Sequence, residues 1–241
     1  MRIRRAQGVR QRRIGGPPVQ IRDLLRSAGF LGVAEMLYFQ LDHALISALV
    51  ERWRPETHTF HMPVGECTVT LQDVSILLGL PVDGLPVTTS SFLPWASVVE
   101  NLLGIAPGPS DIKGGGLKLK WLDDHFADIT VHEHSEIQLQ RFTRAYILRL
   151  FGGLLFLDHS GRYVRLKYLP FLEDFNVCGT FSWGSAVLGY LYRELCKATN
   201  YEAHEIGGAC ILLQLWAWEK FPYIGTANPP VPVVGSPLGA W

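Results

Sequence analysis

Several short clusters in this 241-residue chain hold the side chains that catalysis or metal binding needs. Thr57-His58-Thr59-Phe60-His61 offers two closely spaced imidazoles. In an extended strand, residues three apart point to opposite faces, so His58 and His61 cannot close on one ion and a structural polar role is expected. Asp123-Asp124-His125 and His132-Glu133-His134 form a denser group. His132 and His134 share a face only where the backbone is extended, and the expectation is a solvated loop between two helices. Asp158-His159-Ser160 has the letters of a hydrolase triad, but triad partners meet in space rather than in sequence, so a turn is predicted. Trp183-Gly184-Ser185-Ala186 lacks the second glycine of a nucleophile elbow. Lys113-Gly114-Gly115-Gly116 lacks the Gly-Lys-Ser/Thr ending of a phosphate-binding loop and is expected to be a flexible loop. These readings name no catalytic residue, no metal ligand and no cofactor site.

One group does stand out by charge. Arg2, Arg4, Arg5, Arg10, Arg12 and Arg13 fall in the first thirteen positions, which hold no acid. The other 16 basic residues face 22 acidic ones, leaving a body of about minus six, which does not look like a nucleic-acid-binding surface. Residues 1–20 end in Gly15-Gly16-Pro17-Pro18 and contain little that can pack, so an unstructured arm is expected. Such an arm can contact phosphates or act as a nuclear import signal, or it can be a plain extension outside the domain. No aromatic interleaves its arginines, so base stacking has no support there.

The elements that would position any site are mostly helical. Hydrophobic residues make up 48% and charged residues 18% of the chain, a globular composition. Leu24, Leu25 and Ala28 predict a short helix closed by Gly29. Asp42 caps a stronger one carrying Leu45, Leu49 and Trp53, which Pro55 ends. Thr57–Met62 and Cys67–Thr70 flank Pro63-Val64-Gly65-Glu66 and predict a β-hairpin. Thr70-Leu71-Gln72-Asp73 resembles a capping box opening a helix with Leu71, Val74, Leu77 and Leu78 buried. Further helices are predicted over Pro94–Leu103, Leu117–Phe126, His134–Phe151 (with Ile137, Phe142, Ala145, Ile147 and Leu148 inward), Ser182–Ala198 and Ile206–Phe221. A strand is predicted over Tyr163–Tyr168, and Pro222–Trp241 is a Pro-rich tail. The predicted class is mainly α, a multi-helix globular domain with a short β-hairpin near residues 57–70 and minor strand content.

Trp183, Trp216 and Trp218 sit at helical spacing among aliphatic residues and read as core. Arg52, Arg54, Arg144 and Arg193 lie in or beside apolar helices, where ion pairs with Glu51, Asp73, Glu194 or Glu219 are expected. Cys67, Cys178, Cys196 and Cys210 form no CxxC pair and read as small buried thiols of a reducing compartment. The N-terminus lacks an apolar signal-peptide core, and the run Ala209–Trp218 is too short to span a bilayer. A soluble intracellular protein with no membrane partner is therefore expected.

Four blocks carry a longer pattern: LDHALISALVERWRPETHTFHMPVGECTVTLQDVSILLGLPVDG (Leu41–Gly84), RAYILRLFGGLLFLD (Arg144–Asp158), SWGSAVLGYLYRELCKA (Ser182–Ala198) and ILLQLWAWEKFP (Ile211–Pro222). In order and wording they resemble the plant mobile domain, also labelled aminotransferase-like and found in maintenance-of-meristems-like proteins and in transposable elements. The resemblance covers residues 21–241. It implies a plant nuclear protein tied to transposon silencing, genome integrity and meristem maintenance, with a phosphatase-like or chromatin-associated protein partner. Compared with the family, the chain looks incomplete at its C-terminus. A pyridoxal-phosphate aminotransferase needs a Schiff-base lysine and a phosphate cup. Lys113, Lys118, Lys120, Lys167, Lys197 and Lys220 stand in loops, near helix ends or in the alternating strand, and form no such constellation. The expected role is thus non-enzymatic interaction, with a transposon-derived nucleic-acid-binding role through the Arg arm as the alternative.

Overall fold

A computed structural model describes residues 14–36, 40–88, 93–131, 135–200, 202, 203, 205–221, 223 and 237. The six arm arginines lie outside the described residues, as do His132, Glu133, His134 and most of the Pro-rich tail. Within them, α1 (Arg22–Ser27) and α2 (Leu31–Ala34) form a corner, with Gly29 between them at φ +81°. Asp42 then caps α3 (His43–Arg52), its carboxylate accepting from the Ala44 and Leu45 amides. That bond satisfies two of the donors that a helix start leaves open.

The helix stops one residue before Trp53, which opens a strand instead of closing a turn. β1 (Trp53–Arg54), β2 (Thr59–Met62) and β3 (Gly65–Cys67) make an antiparallel sheet in the order β1-β2-β3. The pairing Met62↔Gly65 leaves only Pro63-Val64 in the turn. The second strand therefore begins at Gly65, earlier than the Cys67 start that the Thr and Val pattern suggested. The capping box of α4 (Leu71–Leu78) is formed as predicted, with both reciprocal bonds present between Thr70 and Asp73. Gly79 ends this helix at φ +65°, a conformation that a β-carbon disfavours. Leu71, expected inside, is 40% exposed because the first residue of α4 turns away from the core.

The second half begins with α5 (Trp95–Leu103). The glycine run expected to be a flexible loop instead turns a β-hairpin between β4 (Ile112–Lys113) and β5 (Gly116–Lys118). Next come α6 (Leu119–His125) and α7 (Glu136–Leu150), the latter continuing into a π-helical stretch over Phe151–Leu155. Ile137 is 63% exposed, since α7 becomes buried only from Phe142 onward. β6 (Tyr163–Arg165) completes the sheet β4-β5-β6, with Leu117 opposite Val164. The predicted longer strand gives way at Leu166 to a 3-10 helix, Leu166–Leu172, whose Leu166, Leu169 and Leu172 are buried. Then follow α8 (Phe175–Cys178), α9 (Trp183–Ala198) and α10 (Cys210–Lys220). α10 starts four residues later than the apolar run, because Gly207 and Gly208 cross over the turn at Leu157.

Core packing ties these helices together. α4 packs on α9 and α10, α3 on α10, and α7 on α5 and α1. Two aromatic clusters fill the junctions. Trp183 stands 5.2 Å from Phe30 and 5.1 Å from Phe151. Trp53 stands 4.9 Å from Phe60 and 5.0 Å from Tyr192, while Trp216 lies tilted 5.2 Å from Phe60. Trp183 and Trp216 are core, as the helical spacing predicted, and Trp218 is half-buried at the edge. The class is mainly α with two small antiparallel sheets.

Candidate functional site

The buried polar groups sit where the apolar helices meet. On α4, the Asp73 side chain is only 8% exposed and accepts from the Thr70 amide and hydroxyl, both at 2.8 Å. Lys220, on the last turn of α10, approaches the same carboxylate at 3.2 Å. Burial alone would push Asp73 up, but the Thr70 bonds and the Lys220 ammonium together outweigh it and hold the carboxyl below its usual range. Lys220 is raised in turn by Asp73. One face further along α10, Gln214 accepts from the Asp42 amide at 2.6 Å and donates to the Gln40 carbonyl at 3.2 Å, fastening α10 to the start of α3.

The Asp73 pairing carries a pH signature. A carboxyl with a lowered folded pKa adds stability that is complete above its unfolded value, near pH 4, and is lost as pH falls through the folded value. Asp73→Asn should cost about 1–2 kcal/mol at pH 7, the worth of hydrogen bonds to a charged group, and the gap to wild type should close below about pH 4. Urea titrations at pH 7, 5, 4 and 3 check this, and a constant gap would contradict it.

The Asp158-His159-Ser160 run is a turn, as predicted: the Asp158 carboxylate accepts from Ser160 Oγ at 3.0 Å and from the Gly161 amide at 2.7 Å. His159 faces away from that serine. Its Nε2 meets Glu194 Oε2 of α9 at 3.0 Å, and Lys197 Nζ reaches Oε1 of the same carboxylate at 2.7 Å. Glu194 is the most enclosed charge described, with its side chain 2% exposed. Its presence in an otherwise apolar helix was visible in the sequence, but the histidine partner 35 positions earlier was not. Ser185 Oγ bonds to Ser182 Oγ at 2.6 Å and to the Val82 carbonyl, which fixes the start of α9 rather than an elbow.

The remaining candidates scatter. His58 lies in the turn before β2 at φ +53°, its ring 5.7 Å from Tyr192, whereas His61 sits on β2 opposite Glu66. His125 Nδ1 bonds the Trp121 carbonyl. Among the described residues no three His, Cys, Asp or Glu side chains converge as a metal group. Lys118 pairs with Asp111 and Lys120 with Asp124, while Lys167 lies over the Tyr168 ring. No helix among the described residues is long and apolar enough to cross a membrane.

The ion-pair expectation holds for Arg193, which lies 4.0 Å from Glu194, and needs correction for Arg52, Arg54 and Arg144. Arg144 is buried, yet it binds no carboxylate: Nε and Nη2 each donate at 2.8 Å to the Leu172 and Glu173 carbonyls, and Nη1 donates to Leu102. Arg52 donates to its own helix at Ala48, Arg193 is 4.0 Å from Glu194 and lies over Tyr190, and Arg54 is exposed. Asp73 and Glu219 both serve Lys220 instead. Helix ends supply carbonyls that no pattern of charges in the sequence announces.

The thiols are free, and two are sealed: burial pushes Cys178 and Cys210 up to about 12. Because the thiolate is the reactive form, a disulfide reagent at pH 8 should leave Cys178 and Cys210 unmodified in the folded chain and reach all four cysteines in urea. Peptide mapping after labelling reads this directly; rapid native labelling of either residue would contradict it.

The same four sequence blocks form the α3–α4 unit with its sheet, the α7 π-stretch, α9 and α10, and they correspond to one family model. The plant mobile domain model matches residues 29–233. The chain belongs to the plant mobile domain family. It is 52% identical over 192 residues to the serine/threonine-protein phosphatase 7 long form homolog of Arabidopsis thaliana, an alignment covering 80% of this chain and 14% of that protein. It is 44% identical over 201 residues to Protein MAIN-LIKE 2 (83% and 30%), and 38% identical over 197 residues to Protein MAINTENANCE OF MERISTEMS (81% and 41%), both also from Arabidopsis thaliana. The chain thus spans between 14% and 41% of the length of these curated relatives. No solved structure matches it. In this chain the buried groups of Asp73, Arg144 and Gln214 bind other side chains or backbone groups at helix junctions.

Proposed function

We propose that this plant mobile domain is a non-enzymatic protein-interaction module of the plant nucleus, serving transposon silencing, genome integrity and meristem maintenance. One observation carries the reading. The same stretch, four-fifths of this chain, recurs as 14% of a phosphatase-named relative and as 30–41% of MAIN-like relatives. A unit that recurs in proteins of such different extent and name is used as a module, and the internal pairing of its buried charges leaves its surface for contacts. The proposed partner is a phosphatase-like or chromatin-associated protein, and the phosphatase name of one relative supports the first of these. Affinity purification of the tagged chain from plant nuclei tests this. Recovery of a phosphatase-like or chromatin protein that rebinds the purified chain supports it; a chain absent from nuclei, or one that recovers only chaperones, overturns it.

A second reading has its own support. The Tyr146 hydroxyl on α7 donates to the Gly15 carbonyl at 2.8 Å, so the arm with its arginines leaves from a fixed point of the body. An arm rooted in this way acts as a phosphate-binding tether. Replacing Arg10, Arg12 and Arg13 with Gln should then flatten the salt dependence of DNA binding, and an unchanged slope removes the arm from the account.

A further inference from the structure

The acidic excess of the body is not spread evenly. From His159 to Leu172 the chain carries Arg162, Arg165 and Lys167 and no acid. This segment runs through β6 and into the following 3-10 helix, and it packs beside α9, where Arg193 and Lys197 are four apart and share a face. The contact between them is aromatic. Phe156 stacks on Tyr168 at 4.4 Å and meets Tyr190 edge-on at 5.6 Å. Over these two tyrosines lie two cations, Lys167 at 4.8 Å from the Tyr168 ring and Arg193 at 4.9 Å from the Tyr190 ring.

The local acids neutralise this group only in part. Glu194 is enclosed; it meets Lys197 at 2.7 Å, lies 4.0 Å from Arg193 and is shared with His159, while Asp158 accepts the bonds of its own turn. Arg165 donates to the Gly114 carbonyl across the sheet at 3.1 Å, and among the described residues neither Arg165 nor Lys167 pairs with a carboxylate. Burial together with the neighbouring Arg193 and Arg165 guanidiniums pulls the Lys167 ammonium below its usual range, as expected of like charges held close together. Arg165 is exposed, Lys167 half-buried, and Arg193 and Lys197 are 57% and 54% exposed, so a ligand can reach them.

We propose that the face formed by Arg165, Lys167 and Arg193 is a binding surface for the phosphate backbone of a nucleic acid. Three cations fixed on a strand, a 3-10 helix and an α-helix flank the joined rings of Phe156, Tyr168 and Tyr190. Duplex DNA presents a negative charge about every 1.7 Å of its axis, so such a face meets several phosphates at once. Their approach would relieve the repulsion among the cations. The rings beneath are committed to Phe156 and to the cations, so recognition is of charge along the backbone and not of base sequence. This surface is separate from the N-terminal arm and belongs to the folded body.

The test is fluorescence anisotropy of the full chain with a labelled 20-bp duplex of random sequence, titrated from low to moderate salt. The Arg165→Gln/Lys167→Gln/Arg193→Gln chain should bind about tenfold more weakly and lose about two to three units of log–log salt slope, at about 0.9 per phosphate contact. Arg165→Lys/Arg193→Lys should keep the slope, which separates lost charge from disturbed folding. The arm variant Arg10→Gln/Arg12→Gln/Arg13→Gln should leave the effect of the patch substitutions intact. The proposal fails if the wild-type chain does not bind the duplex, if the patch variant binds with unchanged affinity and slope, or if polyglutamate of equal charge competes as well as unlabelled duplex.

Discussion

Trp183→Ala should be among the most destabilising single substitutions in this chain, costing about 3–5 kcal/mol, the usual range for truncating a buried large aromatic. The ring is fully buried and lies within reach of four others, with centroids at 5.2 Å for Phe30, 5.1 Å for Phe151, 5.8 Å for Phe171 and 6.1 Å for Tyr168. These four rings come from three separate parts of the chain, so the surrounding backbone cannot close over the hole without moving α9 against the π-stretch of α7. Gly184 narrows the choice further, since a β-carbon there would stand 2.7 Å from Val82 and the start of α9 is already pressed on that segment. Trp183→Phe separates the contributions. The indole N–H donates to the Cys178 carbonyl at 2.9 Å, but that carbonyl also accepts from the Phe181 amide, so it keeps a partner when the indole is gone. The phenylalanine variant should therefore lose about 1 kcal/mol for the hydrogen bond plus a smaller packing loss. Urea unfolding followed by circular dichroism gives both values. Thermal midpoints should fall by on the order of 10 °C for the alanine variant, and a loss under about 1.5 kcal/mol would show that the cluster repacks.

The helices that could be read from sequence were those whose ends announce themselves locally. Asp42, the Thr70–Asp73 box and Gly79 act within a few residues of where they stand, so α3 and α4 follow from short-range chemistry. α9 also kept its predicted length because its apolar stripe is continuous. The errors arise where a distant segment decides. Trp53 has a helical neighbourhood in sequence, yet it pairs with Phe60 and packs on Tyr192, and these contacts draw it into a strand. Lys113–Gly116 looks like a loop because glycine has no β preference, but the strand Tyr163–Arg165 offers a ladder that pins it. The shift of α7 to π geometry at Phe151 has no signal in the hydrophobic pattern beyond the Gly152-Gly153 pair, where side-chain crowding is relieved.

Charge was less legible than shape. A histidine next to an aspartate and a serine suggests a triad, whereas the partner that matters for His159 is Glu194 on another helix. A net charge for the body hides where its signs fall: Arg165, Lys167 and Arg193 come together around the Tyr168 and Tyr190 rings. A sum over the sequence cannot show this, because the two basic segments are 28 residues apart from Arg165 to Arg193 and only the fold places them together.

Arg144→Met is the second large effect, and it tests a role that no carboxylate pattern predicts. The guanidinium spans two helix ends at once. Leu102 lies in the last turn of α5, and Leu172 and Glu173 close the 3-10 helix, so their carbonyls lack helical partners of their own. The planar fork matches them, with Nε to Leu172 and Nη2 to Glu173 at 2.8 Å and Nη1 to Leu102 at 3.2 Å, while the same group lies 5.4 Å over the Phe175 ring. A cation at the negative ends of two helices is also favoured by their dipoles. Methionine fills the aliphatic volume but supplies no donor, so three carbonyls, buried at Leu172 and part-buried at Leu102 and Glu173, lose their bonds at about 1 kcal/mol or more each. A loss of about 3–4 kcal/mol is expected. Arg144→Lys keeps the charge but places a single ammonium where a fork is needed, and it should recover less than half of that loss. Hydrogen exchange adds a structural readout: amides at the C-terminal turn of α5 and over Leu166–Leu172 should lose protection first in Arg144→Met, while those of α3 and α10 hold. Uniform loss of protection with a small change in stability would mean that water replaces the guanidinium at little cost, and that the junction of α5, α7 and the 3-10 helix is held by its apolar contacts alone.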